Sequence, residues 1–236
     1  VFEVPVVQDG ETGDTNAVYR TDTPVTLGAF SHKNGFFVKY GPETLTIDAP
    51  DGKQIYFYAN NKNGGTSATA LVFNDDGSCS IPKGVHPVAV AQGELKFTGG
   101  EGSVVSNLGS IRVGVPLAAA PDRICPAQLT VDGVDFRGNM GECFYPGFSM
   151  DPATHNATSI IRVVNGGVLN VRTVQPGYAC TKDNTRVVFA LTNGIYRTHV
   201  NGSYVSRGRM DSTPSKYVIV HYLMNASRTE FSSRVY

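Results

Sequence analysis

The sequence predicts an all-β fold, an antiparallel β-sandwich or jelly-roll-like arrangement with little or no helix, and three features carry that expectation. Short apolar runs recur along the chain, many of them alternating apolar with polar residues as strands with one solvated face do. Nine Asx-Gly dipeptides punctuate the chain, at 9–10, 34–35, 51–52, 63–64, 76–77, 132–133, 165–166, 193–194 and 201–202. Asn and Asp tolerate a left-handed backbone and Gly favours it, so such pairs suit tight hairpin turns. No twelve-residue window combines a helical apolar period with a cap.

The predicted strands follow in order. FFVKY (36–40), TLTID (44–48) and QIYFYA (54–59) open the series, with APDG (49–52) between the last two. Pro50 supplies the fixed φ and Gly52 the positive φ of a turn, so 44–58 reads as a hairpin. ATALVF (68–73) is a further run, and SIIRVV (159–164) with VLNVRTV (168–174) forms a second hairpin folded about Asn165 to Gly167. RVVFAL (186–191) and KYVIVHYLM (216–224) complete the set, the latter placing His221 at a pleat position. GGEGS (99–103) and NGG (165–167) are turns, because neither follows a strand to open a helix as a phosphate-cradling loop must. No internal repeat of the kind that marks a propeller or solenoid stands out.

The 236 residues carry no net charge, but the balance is uneven. Residues 1–118 hold eight Lys/Arg and twelve Asp/Glu, and residues 119–236 hold twelve and eight, with Arg replacing Lys as the main cation. The Ala/Pro-rich stretch VPLAAAPDRICPAQ (115–128) lies between, which predicts two β domains, 1–118 and 119–236, with a single sandwich as the alternative. The overall neutrality argues against nucleic acid as the partner. No stretch has the apolar length of a membrane span, and VFEVPVVQDG (1–10) lacks the features of a signal peptide.

Cys79, Cys125, Cys143 and Cys180 are spaced too widely for a zinc knuckle or a redox CxxC pair and predict two disulfides, as in an oxidising compartment. Three connectivities are open, with Cys143–Cys180 slightly preferred. Asn156, Asn201 and Asn225 head N-glycosylation sequons. No cofactor is expected; the weak candidate is calcium at Asp9, Glu11 and Asp14, an oxygen-rich loop without the bidentate glutamate that closes such sites.

Two segments concentrate side chains suited to recognition. GECFYPGFSMDPATHN (141–156) sets Phe144, Tyr145 and Phe148 among Gly and Pro, either a stacking platform for sugars or a plug for the end of the sandwich. In GIYRTHVNGSYVSRGRM (194–210), a turn at Asn201-Gly202 pairs His199 with Tyr204 and places Arg197, His199 and Tyr204 on one polar face, with Tyr196 on the opposite, core-directed face. The polar face suits a carboxylate or sulfate.

The functional expectation is a secreted, extracellular or surface-exposed recognition or attachment protein, adhesin-like or from a viral outer surface, that binds glycans or another surface. A polyuronate lyase is the alternative, with Arg197 neutralising the carboxylate, His199 abstracting the α-proton and Tyr204 protonating the leaving oxygen. A third reading is a self-assembling subunit, because VFEVPVV (1–7) and EFSSRVY (230–236) could pair as terminal strands in a homo-oligomer.

Overall fold

The computed structural model describes residues 17–33, 37–58, 72–73, 79–80, 88–107, 111–114, 126–138, 143–147, 158–171, 173–174, 185–198 and 217–223. Strands dominate these residues and no helix occurs among them. The first turn of chain comprises β1 (Ala17–Arg20), β2 (Val25–Gly28) and β3 (His32–Lys33), and the second β4 (Phe37–Tyr40), β5 (Thr44–Ala49) and β6 (Gln54–Tyr58). A two-stranded insertion, β7 (Val72–Phe73) and β8 (Cys79–Ser80), precedes the third turn of β9 (Val88–Val90), β10 (Gly93–Gly99) and β11 (Val104–Asn107). The fourth comprises β12 (Ile111–Val113), β13 (Ala127–Asp132) and β14 (Asp135–Gly138), and the fifth β15 (Cys143–Pro146), β16 (Thr158–Val164) and β17 (Val168–Val171). The sixth comprises β18 (Thr173–Val174), β19 (Thr185–Thr192) and β20 (Ile195–Thr198), and β21 (Tyr217–Leu223) follows it.

Each turn contributes one strand to each of three sheets. Sheet A has the order β1-β4-β9-β12-β15-β18, sheet B β2-β5-β10-β13-β16-β19-β21, and sheet C β3-β6-β11-β14-β17-β20. Every pairing within these sheets is parallel, as in Leu45 beside Leu95 beside Leu129, and only β7 and β8 pair antiparallel. The architecture is a three-faced parallel β-solenoid in which successive turns are separated by one strand spacing, about 4.8 Å.

This corrects the antiparallel sandwich and the absence of a solenoid repeat that the sequence suggested. The 44–58 hairpin does not form: β5 belongs to sheet B and β6 to sheet C. The 162–174 hairpin fails likewise, since β16, β17 and β18 lie in sheets B, C and A. The physical reason is that a left-handed turn residue reverses or bends a chain without choosing its partner. Asp51-Gly52, Asp132-Gly133, Asn165-Gly166 and Asn193-Gly194 all sit where sheet B passes into sheet C, with positive φ at Gly52, Gly133, Asn165, Gly166 and Asn193. Gly100-Glu101-Gly102 fills the same corner in the third turn. These corners stack, with the Gly52 amide donating to the Glu101 carbonyl and the Gly133 amide to the Val164 carbonyl. The ladders also continue across position 118, pairing β10 with β13, β11 with β14 and β12 with β15.

Alternation fixes what faces inward. In β5 the side chains of Leu45, Ile47 and Ala49 are buried while Asp48 is exposed, and β10 buries Leu95 and Phe97. The centre of the solenoid holds an aromatic stack: Phe37, Phe57, Phe97 and Phe136 succeed one another with each neighbouring pair of centroids 5.2 Å apart. Their edge-on and tilted geometries suit aromatic quadrupoles and seal the interior between turns. Phe97→Ala, which empties the middle of this stack, is expected to cost about 3–5 kcal/mol of stability, measured as a lower midpoint in urea unfolding.

The corner between sheets A and B is tied differently. Lys39 is wholly buried in line with Tyr19 and Val90, and its ammonium donates to the carbonyls of Gly41 at 2.6 Å and Gln92 at 2.8 Å. Thr21 receives the Glu43 amide and donates its hydroxyl to the Glu43 carbonyl at 2.8 Å. Gly41 has φ +90°, and a Cβ there would lie 2.5 Å from the Thr21 carbonyl oxygen, whereas one at Gly52 (φ +62°) would meet nothing. Gly52→Ala should therefore cost only left-handed strain, about 1–2 kcal/mol, and Gly41→Ala more, because the Thr21 backbone must also move. Comparing the two melting temperatures tests this.

Candidate functional site

The three faces offer very different surfaces. Sheet A is buried on both sides: Phe37 and Ile111 face inward, yet the alternate residues Val38, Ala89 and Arg112 are also buried. The Arg112 guanidinium lies 5.4 Å from the centre of the Tyr145 ring, a cation–π distance. Phe144, on the other side of the same strand, is 1% exposed and packs in the core. The aromatic platform expected from Phe144, Tyr145 and Phe148 is therefore not available as such. Phe144 faces inward, Tyr145 is half-buried beside Arg112, and Phe148 lies outside the described residues.

Sheet B presents polar side chains that satisfy one another. The Glu94 carboxylate accepts from Thr44 at 2.9 Å, Gln128 at 2.6 Å and Thr130 at 2.5 Å, so one acid joins three strands. Asp132 pairs with Lys96 at 2.5 Å and accepts from the Asn165 side chain at 2.7 Å. Partial burial is the largest single influence on Asp132 and disfavours its charge, but Lys96 and Asn165 together outweigh it and hold its carboxyl below the usual range. The stabilisation this implies is full above the unfolded carboxylate range near 3.9 and is lost as pH falls through the lowered native value. Asp132→Asn should accordingly flatten the acid limb of a stability–pH profile from urea unfolding, and Lys96→Met should raise the Asp132 titration midpoint measured by NMR.

Sheet C carries exposed and half-buried side chains outside the core, as sheet B does at Asp48 and Arg162. Its inward residues, Ile55, Val105, Phe136, Leu169 and Tyr196, are all buried. Burial raises the Tyr196 phenol far above its ordinary range, and its ring packs 5.2 Å from Phe189, as the sequence-predicted core orientation requires. One residue further along each strand, the register sets Tyr56, Ser106, Arg137, Asn170 and Arg197 in a single row. The row beside it contains Val104, Asp135, Val168 and Ile195. Arg137 is 56% exposed, and its Nε donates to Asp135 Oδ2 at 2.8 Å. Among the described residues, neither Ser106 nor Asn170 uses its side chain in a hydrogen bond. The face thus combines guanidinium, amide and hydroxyl groups with half-buried aliphatic ones.

Arg197 is the one member of this row that the sequence singled out. Its described pairing is the parallel one with Asn170, and His199 and Tyr204 lie outside the described residues. The same holds for Asp9, Glu11, Asp14, Cys125, Cys180, Asn156, Asn201 and Asn225, and for the terminal segments 1–7 and 230–236. Cys79 and Cys143 are in β8 and β15, and His221 is in β21 in register with Phe189. Tyr56, Ser106, Arg137 and Asn170 were missed, although a signal was present: each stands four residues beyond its corner glycine, Gly52, Gly102, Gly133 or Gly166.

These features define a parallel β-solenoid whose sheet C face mixes polar and aliphatic side chains. Compared with known proteins, the chain matches no family model, no curated protein and no solved structure. No helix among the described residues is long and apolar enough to cross a membrane.

Proposed function

We propose that the protein is a recognition or attachment module that acts outside the cell or on a particle surface and binds glycans through the outer face of sheet C. The observation that carries this reading is the in-register row of Tyr56, Ser106, Arg137, Asn170 and Arg197 beside the row of Gln54, Val104, Asp135, Val168 and Ile195, aliphatic at three of its five positions. A sugar has the matching duality, hydroxyls at its rim and an apolar C–H face, and a flat sheet offers both kinds of group at a fixed spacing. The rigid ladder also lowers the entropic cost of binding, because the groups are ordered before the ligand arrives.

A glycan array probed with the native protein, Arg137→Ala and Asn170→Ala tests the reading. Both substitutions lie on the open face, so the melting temperature should change little. Loss of a charge-assisted hydrogen bond at Arg137 should weaken binding by about 1.5–3 kcal/mol, and loss of the neutral Asn170 amide by about 1 kcal/mol. Binding that survives both changes undiminished would reject the sheet C face as the site.

A further inference from the structure

We infer that Asn193 is a site of spontaneous covalent modification, converting to aspartate and isoaspartate through attack by the Gly194 amide, while the Asn165-Gly166 pair of the preceding turn is sheltered. Four Asx-Gly pairs line the corner between sheets B and C: Asp51-Gly52, Asp132-Gly133, Asn165-Gly166 and Asn193-Gly194. In the first three, the glycine amide donates to a carbonyl of the following turn, Gly52 to Glu101 at 3.0 Å, Gly133 to Val164 at 3.1 Å and Gly166 to Asn193 at 2.5 Å. Gly194 ends the series, and among the described residues its amide has no acceptor.

The chemistry turns on that amide. Loss of its proton to hydroxide makes the Gly194 nitrogen a nucleophile that bonds to Cγ of Asn193; the Cγ–Nδ2 bond breaks, and ammonia leaves with a proton from water, which restores the hydroxide. Water then opens the cyclic imide at either carbonyl, giving aspartate or isoaspartate. At the preceding turn both reacting groups are held, since the Gly166 N–H is engaged and the Asn165 Nδ2 donates to Asp132 Oδ1 at 2.7 Å. That corner must open locally before it can react.

The fold also imposes the reactive dipeptide. Asn193 is exposed with φ +50°, a conformation that Asn tolerates better than most residues, and a Cβ at position 194 would lie 2.5 Å from the Val163 carbonyl oxygen. Aspartate leaves the course of the main chain unchanged. Isoaspartate lengthens it just ahead of Ile195, whose amide donates to the Gly167 carbonyl at 2.9 Å, and so disturbs the pairing of β17 with β20.

Incubating the full chain at mildly alkaline pH and mapping its tryptic peptides by mass spectrometry tests this, because peptides 187–197 and 163–172 separate the two asparagines. The native protein is expected to convert amide to acid at Asn193 at least roughly tenfold faster than at Asn165, the difference that local opening of one hydrogen-bonded corner supplies. In urea, where neither corner persists, the two rates should agree within about twofold. Peptide 187–197 should also become a substrate for an isoaspartate methyltransferase, and the Gly194 amide should exchange with deuterium faster than that of Gly166. Equal native rates, or faster conversion of Asn165, would overturn the inference. A rate difference that persists in urea would overturn the sheltering by the corner, and acid at Asn193 without isoaspartate would overturn attack by Gly194. Exchange at Gly194 as slow as at Gly166 would refute its open amide.

Discussion

In the three main sheets, every strand finds its hydrogen-bond partner one turn of the solenoid away rather than in the next strand of the chain. Backbone amides and carbonyls must be satisfied, and here almost no satisfaction is local. The register of each turn is therefore set by the turn below it. A slip of one residue would turn Phe57, Phe97 and Phe136 outward together with their neighbours, so the aromatic stack and the ladders enforce one another. The corners complete this dependence: Lys39 holds the carbonyls at one edge, and stacked left-handed residues hold the other.

That repetition gives the faces their character. Parallel sheets are commonly covered on both sides. Sheet A follows that pattern, while sheets B and C keep the alternation of a half-solvated strand. In sheet B, side chains of neighbouring strands close Glu94 and Asp132 into mutual networks, which stabilises the face. In sheet C, parallel pairing lines up residues that differ from turn to turn, Tyr56, Ser106, Arg137, Asn170 and Arg197, and an ion pair runs along a strand, from Arg137 to Asp135. A row with an axis of its own is the form of surface that suits an extended ligand.

The candidate site was legible in part. Arg197 drew notice because cations cluster near it in sequence, but its described row-mate is Asn170, twenty-seven positions earlier, and proximity in sequence gave no hint of that pairing. Phe144 was read either as a sugar-stacking residue or as part of a plug, because it lies among Gly and Pro; it is a core residue of β15. Composition describes how a segment can turn, and burial depends on which strand it joins.

All eight apolar runs read from the sequence contain strands, and the inward position of Tyr196 was also legible, because alternation along a strand is a local property of the chain. The parallel partners were not. The strands of sheet A begin at 17, 37, 88, 111, 143 and 173, and the long intervals opened by 59–87, 115–125 and 148–157 hide the period. The spacing varies less from sheet B to sheet C, where strands beginning at 25, 44, 93, 127, 158 and 185 are followed by others at 32, 54, 104, 135, 168 and 195. An Asx-Gly corner fits a hairpin and a solenoid equally well, because the dihedral angles it permits are local. Only tertiary pairing decided between them, since a strand's hydrogen bonds are completed by whichever chain lies one strand spacing away.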